Sequence, residues 1–184
     1  MVNIKTSMRK RILELGCGIK KNKDSIGVDI NIEVNPDVLH DLNIFPYPFE
    51  NNYFDEVHCE DTLMYLDNFF DTMREIHRIT NHGGIIKITN PYFRSKFSYI
   101  LPEIKCIFSV NSFAFFDPDH VIYKRYKYVD FQLKTERIVF DESINKKWFS
   151  KIIKIFANKW PNYYEENFSH IFPLDTLTWY LKKE

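Results

Sequence analysis

The sequence predicts an α/β fold built on a mostly parallel sheet, and three observations predict it. Short apolar runs, each closed by turn residues, recur through the first half of the chain. An amphipathic stretch at 68–80 lies between two of those runs, as a crossover helix does. All five glycines (Gly16, Gly18, Gly27, Gly83 and Gly84) precede Ile85, so the special backbone geometry is confined to that half.

In order, Arg11–Leu15 (RILEL) reads as a first buried strand running into Gly16-Cys17-Gly18. Ser25–Ile30 (SIGVDI) reads as a second strand, Asp37–Asp41 as a short third and Phe54–Cys59 (FDEVHC) as a fourth. Asn68–Thr80 places Phe69, Met73, Ile76 and Ile79 near helical spacing, with His82-Gly83-Gly84 as the helix stop. Ile85–Thr89 (IIKIT) gives a fifth strand closed by Asn90-Pro91. Tyr126–Phe140 reads as one or two strands, 148–172 as helical patches broken at Pro161, and Thr176–Leu181 as a closing strand. Repeats, low-complexity tracts and linker-like stretches are absent, which makes 1–184 one domain.

Composition narrows the function classes. The 184 residues are 45% hydrophobic and 27% charged, the mark of a folded globular chain. Lys and Arg number 25 against 25 Asp and Glu, so net charge supplies no reason to expect nucleic acid or an anionic membrane as partner. No apolar run approaches the ~20 residues of a membrane span, and Met1–Arg11 is too polar and basic for a leader. Cys17, Cys59 and Cys106 are odd in number and widely spaced, as reduced thiols in a cytoplasmic protein are.

The chemistry concentrates where the strands end. Open α/β sheets bind ligands beyond the carboxyl ends of their strands, and a glycine-rich first turn lets backbone approach the ligand. Asp29, ending the second strand, is placed to accept hydrogen bonds from both ribose hydroxyls of a nucleoside. Asp41, after the third, is placed to meet an exocyclic adenine amine. A dinucleotide site fits less well. The third glycine of that fingerprint is Lys21 here, and about seven residues between Gly18 and the next strand leave no full helix for a pyrophosphate. The pattern suits adenosine carrying a charged amino-acid tail better than NAD.

These motifs resemble those of the class I S-adenosylmethionine-dependent methyltransferases. ELGCG (Glu14–Gly18) is similar to their first motif and GVDI (Gly27–Ile30) to their ribose-binding acidic loop. His40–Asp61 resembles the adenine-contacting turn leading into strand four, and Met73–Ile88 the helix and strand that follow. More narrowly, Asp117-Pro118-Asp119-His120 resembles the D-P-x-H segment of a subfamily of small methyltransferases. The resemblance covers residues 10–125 best. It implies a Rossmann-like, mostly parallel seven-stranded sheet in the order 3-2-1-4-5-7-6, with helices on both faces. Residues 10–90 would be the cofactor-binding half, and 91–184 the acceptor pocket and lid.

Carried over by position, the resemblance puts the methionine portion of S-adenosylmethionine against Glu14 and the Gly16-Cys17-Gly18 turn. Asp29 holds the ribose, Ile30 lies against the adenine, Asp41 and Leu42 meet its edge, and Cys59 and Glu60 sit beside the sulfonium. The reaction implied is methyl transfer to an oxygen or nitrogen of a small-molecule or envelope-precursor acceptor. The alternative is a catalytically silent methyltransferase-like binding module. Two departures from the subfamily favour that alternative: Tyr65 where a histidine is common, and Val121-Ile122 after the D-P-x-H segment.

On the acceptor side, His120 flanked by Asp117 and Asp119 has the composition of a general base, since histidine titrates near working pH. One histidine and two carboxylates within four residues are too few ligands for a metal site, so none is assigned. Asn90-Pro91-Tyr92-Phe93 superficially resembles the N/D-P-P-Y/F loop of amino-methylating DNA methyltransferases. It follows the wrong strand and lacks the second proline, and Pro91 reads as a strand end. Lys146–Lys159 (KKWFSKIIKIFANK) reads as an amphipathic helix packed on the domain with its lysines in solvent. A membrane-surface helix is the less favoured reading.

Overall fold

The computed structural model describes residues 10–141 and 148–184. The reading of Met1–Arg9 as a polar start, and Lys146 and Lys147 of the basic stretch, lie outside the described residues. Among the described residues, seven strands form one sheet: β1 (Ile12–Leu15), β2 (Ser25–Asp29), β3 (Val38–Leu39), β4 (Phe54–Glu60), β5 (Thr80–Pro91), β6 (Leu133–Asp141) and β7 (Thr176–Lys183). Their order is β3-β2-β1-β4-β5-β7-β6, as the resemblance implied. β1 to β5 pair in parallel, and β7 enters antiparallel between β5 and β6. Among the described residues, four α-helices accompany the sheet: α1 (Phe69–Ile79), α2 (Val121–Tyr126), α3 (Trp148–Lys159) and α4 (Pro161–Asn167).

Local chemistry sets the boundaries. Asn68 caps α1 by accepting from Asp71 N, and Pro161 opens α4 at a position where a missing N–H is harmless. α1 ends at Ile79, three residues before the expected stop at His82. β-branched Thr80 leaves helical dihedrals and starts β5 at once, and the glycines fall in an irregularity where the register jumps from Phe54↔Thr80 to Glu56↔Ile85. Gly83 takes φ 75 there. The third strand is only Val38–Leu39, and of Tyr126–Phe140 only Leu133 onward is strand. Val121–Tyr126 is instead a helical turn capped by the His120 side chain.

Helical cover is uneven. One face carries Leu13, Leu15, Val57, Cys59, Ile88, Leu177 and Trp179, all buried. Phe113 packs at a tilt against Trp179 and against Phe69 of α1, and Lys183 on that face reaches the carbonyls of His77 (2.7 Å) and Thr80 (3.0 Å) at the end of α1. The opposite face carries Glu14, Glu56, His58, Lys87 and Tyr180, all half-buried. Between β1 and β2 there is only a 3-10 turn, Gly18–Lys20, and between β2 and β3 another, Ile32–Val34. Lys21 lies across that face, its Cδ 2.4 Å from where a Cβ on Gly27 would stand, and its Nζ bonds Asp37 at 2.6 Å.

Candidate functional site

At the carboxyl ends of β1, β2 and β4 the chain folds around a cavity of 290 Å³ whose lining includes Gly16, Asp29, Ile30, Asp41, Leu42 and Thr62. Its geometry starts with two left-handed glycines, Gly16 at φ 66 and Gly18 at φ 51. They turn the chain after β1 so that Cys17 N bonds Val28 O (3.0 Å) and Gly18 N bonds Asp29 Oδ2 (2.9 Å). Asp29 Oδ1 accepts from Asn31 N at 2.9 Å, so one carboxylate ties the turns after β1 and β2 together. Each carboxylate oxygen keeps a second lone pair for a ligand hydroxyl.

The far wall is the loop after β3. Asp41 Oδ1 accepts from Asn43 N at 2.9 Å, and Asn43 Oδ1 accepts from Asp67 N at 2.8 Å. Tyr47 OH donates to Leu42 O at 3.0 Å, and Tyr47 N donates to the buried Glu75 at 2.7 Å. Arg78 clasps Glu75 through Nε (2.8 Å) and an Nη (2.7 Å) and bonds the Tyr47 and Phe49 carbonyls. The loop is thereby bolted to α1.

The floor follows β4. Asp61 takes φ 48, a left-handed conformation unusual for aspartate, held by its N–H bonding Thr89 O at 2.8 Å. Burial, then the neighbouring Glu60 charge, pushes its carboxyl above the ordinary range. Such a group gains from a cation brought beside it.

Across Gly16 lies a second cavity of 160 Å³, lined by Glu14, Leu15, Gly16, Cys17, Lys20, His58 and Glu60. Glu14 accepts from Asn22 N at 3.2 Å, and Glu60 pairs with Lys87. Gly16 lines both cavities, and a glycine there lets a ligand approach the backbone closely.

Of the residues predicted for the cofactor, Gly16, Asp29, Ile30, Asp41 and Leu42 line the larger cavity, and Glu14, Gly16, Cys17 and Glu60 the smaller. Gly18 contributes its N–H to Asp29. Cys59 lines neither: it is buried in the core, and desolvation pushes its thiol up to about 12. Asp61, Thr62, His40 and Asn43 were not singled out, and Tyr65, noted as a departure from the subfamily, also lines this cavity. A polar Asp-Thr pair directly after a buried strand was the available signal for the first two.

The structure does not bring Asp117, Asp119 and His120 to either cavity. Asp117 accepts from Asp119 N (3.0 Å) and Thr135 N (2.9 Å), His120 Nδ1 accepts from Ile122 N (3.2 Å), and the exposed Asp119 pairs with Lys134. Lys134 and Thr135 sit opposite Lys182 and Leu181, which pair with Ile85 and Ile86 at the start of β5. The segment therefore lies toward the amino ends of the parallel strands, roughly 20 Å from the cavities by strand rise and spacing. There it acts as a turn clasp and a helix cap.

A wider cleft of 1030 Å³ lies at that same end, lined in part by Arg11, Asn52, Asp55 and Gly84. Its polar groups are engaged with one another, as in Arg11 N to Asp55 (2.9 Å) and Asn81 to Asp55 (2.7 Å). Ligands of open α/β sheets bind at the other end.

With this geometry in place, comparison with known proteins is direct. Residues 13–88 match the family model of a methyltransferase domain. The matched span opens in β1 and ends in β5, and it includes the lining of both cavities. Among solved structures, a SAM-dependent methyltransferase from Archaeoglobus fulgidus superposes with TM-score 0.58 at 22% identity, over 95% of this chain and 86% of that one. A Haloferax volcanii complex of the Trm112 methyltransferase activator with a putative methyltransferase gives TM-score 0.62 at 15% identity, over 95% and 83%. A SAM-dependent methyltransferase from Mesorhizobium loti gives 0.57 at 13%, over 95% and 91%. At these identities the likeness establishes the fold. No curated protein matches the chain.

Proposed function

We propose that the protein binds S-adenosylmethionine across the two cavities and transfers its methyl group to an oxygen or nitrogen of an acceptor. The observation that carries this reading is the charge of the lining. Asp29, Asp41 and Asp61 surround the larger cavity, and Glu14 and Glu60, against Lys20, the smaller. Such walls repel a pyrophosphate and favour a ligand bearing positive charge. The matched methyltransferase domain agrees with this choice.

The residues fit the cofactor in parts. Asp29 would hold the ribose hydroxyls, Asp41 and Leu42 the adenine edge, and Ile30 the adenine face. The turn at Gly16 would pass the chain of the ligand to Glu14 and Glu60, with Asp61 beside the positive sulfur. Bound there, the cofactor supplies a methyl carbon already activated by its sulfonium. The protein's share is to align the acceptor in line with that carbon and to exclude water. An acceptor aligned there would receive the methyl group with S-adenosylhomocysteine left behind, and a hydroxyl or amine acceptor would release its proton to solvent.

The second reading, a methyltransferase-like module without turnover, is favoured by one observation: Asp117, Asp119 and His120 are spent on turn and cap bonds at the far end. Calorimetric titration with S-adenosylmethionine, S-adenosylhomocysteine and NAD tests what both readings share. Micromolar binding of the adenosyl ligands, none of NAD, and at least a tenfold loss (~1.4 kcal/mol) in Asp29→Asn are expected. Folded protein that binds neither adenosyl ligand would refute both.

A further inference from the structure

A net charge of zero conceals a local asymmetry. Segment 91–102 (PYFRSKFSYILP) contains no acid, and neither does α3, which carries Lys151, Lys154 and Lys159. Both are basic and aromatic or aliphatic, and both present apolar side chains to solvent. Tyr99 is 65% exposed and Ile100 61%; on α3, Ile152 is 58% and Ile155 69% exposed. Scattered exposed apolar residues are ordinary, whereas larger apolar patches with a polar rim mark interaction surfaces.

Strand register places both segments at one end of the molecule. Segment 91–102 leaves the carboxyl end of β5, where Tyr92 N bonds Asp175 O at 2.9 Å. α3 is clamped to the last residues of β6 by Asn158, which accepts from Phe140 N (2.6 Å) and donates to Phe140 O (3.2 Å). Phe140 pairs with Leu177, and Leu177 with Asn90 at the carboxyl end of β5. The two cavities open at the carboxyl ends of the neighbouring strands β1, β2 and β4 in the same sheet.

The exposed rings continue past α3. Phe156 contacts Trp160, Tyr163 and Phe168 at 5.3, 6.1 and 5.3 Å between centroids, and Lys159 lies 4.5 Å from the Trp160 ring. Arg94 and Lys96 are exposed in the other segment, Arg94 over Phe93 and Lys96 over Phe97. Tryptophan and tyrosine with an apolar body and a polar tip, beside lysine and arginine, suit the boundary between acyl chains and headgroups.

We propose that this end of the protein docks on an anionic membrane surface through segment 94–101 and the outer side of α3. Arg94, Lys96, Lys151 and Lys159 meet the lipid headgroups, Lys154 being paired with Asp141 at 2.5 Å, while Tyr99, Ile100, Ile152, Ile155 and Trp160 enter the boundary region. An acceptor carried in the membrane would then reach the end of the sheet at which the cavities lie. The docking does not depend on the cofactor reading, because it is measured without cofactor.

The test is cosedimentation of the full chain with vesicles of phosphatidylcholine alone and of phosphatidylcholine with phosphatidylglycerol. Binding to the anionic vesicles, weak binding to the neutral ones and release by high salt are expected. Ile100→Asp and Ile155→Asp should each lower the partition coefficient at least tenfold, and Lys151→Gln and Lys159→Gln by about fivefold each. All four sites are exposed, and unchanged melting temperatures verify the fold. Absence of vesicle binding, or binding unaffected by these substitutions, overturns the proposal. So does a dimer in sedimentation velocity that Ile155→Asp dissociates, which would assign the patch to a second copy of the chain.

Discussion

Gly16 lines both cavities, and replacing it with alanine tests whether close approach of the backbone is required. Its φ of 66 costs an alanine about 1–2 kcal/mol. The added Cβ would also stand 2.0 Å from Thr62 Oγ1, 2.6 Å from Cγ2 and 2.8 Å from Cβ. Contacts that short force the floor of the larger cavity to move, at about 1–3 kcal/mol. Together the loss is about 3 kcal/mol, or ~10 °C in Tm for a chain of this size. Gly18 supplies the control: its φ is 51 but nothing lies within 4 Å of a Cβ there, so Gly18→Ala should lose only about 1–2 kcal/mol. Chemical denaturation measures both. Thr62→Ala removes the two shortest contacts and should restore part of the stability of Gly16→Ala. Because Thr62 lines the cavity, S-adenosylhomocysteine affinity should fall more in Gly16→Ala than in Gly18→Ala. Equal stability losses at the two glycines would refute the steric reasoning.

Arg78→Ala leaves the Glu75 carboxylate buried without its cation, with only Tyr47 N still bonded to it, and should destabilise by about 3–5 kcal/mol in denaturant titration. Arg78→Lys should recover only part, since lysine cannot bond both carboxylate oxygens in one plane. Burial first, then the charge of Lys183, lowers the His77 pKa from 6.5 to about 4. The unfolded chain therefore takes up the proton first on acidification, and stability complete above pH 6.5 should decline towards pH 4. The loss is about 2 kcal/mol after allowance for the ring's partial solvent contact, and His77→Phe, at a site packed against Phe131, should flatten that pH dependence. Lys183→Met strips the donor from the His77 and Thr80 carbonyls and from Asn52, and should lower stability by about 1–3 kcal/mol.

The parallel strands of the first half and most of the cavity-lining residues were legible because they depend on local pattern, whereas the strand order was available only through the family resemblance. Buried parallel strands read as short apolar runs, and the Gly16–Gly18 turn and Asp29 stand at fixed places relative to them. The start of β5 was misplaced because a Gly-Gly pair reads as a helix stop, while here it absorbs a register jump between β4 and β5. Cys59 was assigned to the cavity because it ends β4, yet alternation turns its side chain into the core and leaves Glu60 for the smaller cavity. The D-P-x-H segment carries residue types fit for proton transfer, but its location depends on β7 running antiparallel. That reversal puts the start of β6 at the end of the sheet away from the cavities. Asp61 escaped notice because a left-handed aspartate has no signature in sequence.

The most direct test of the central claim is a crystal structure of the protein with S-adenosylhomocysteine. The account predicts ribose hydroxyls on Asp29, adenine between Ile30 and Leu42, and the amino-acid tail passing Gly16 toward Glu14 and Glu60. Density for the ligand at the opposite end of the sheet, or a tail directed away from Gly16, would contradict it.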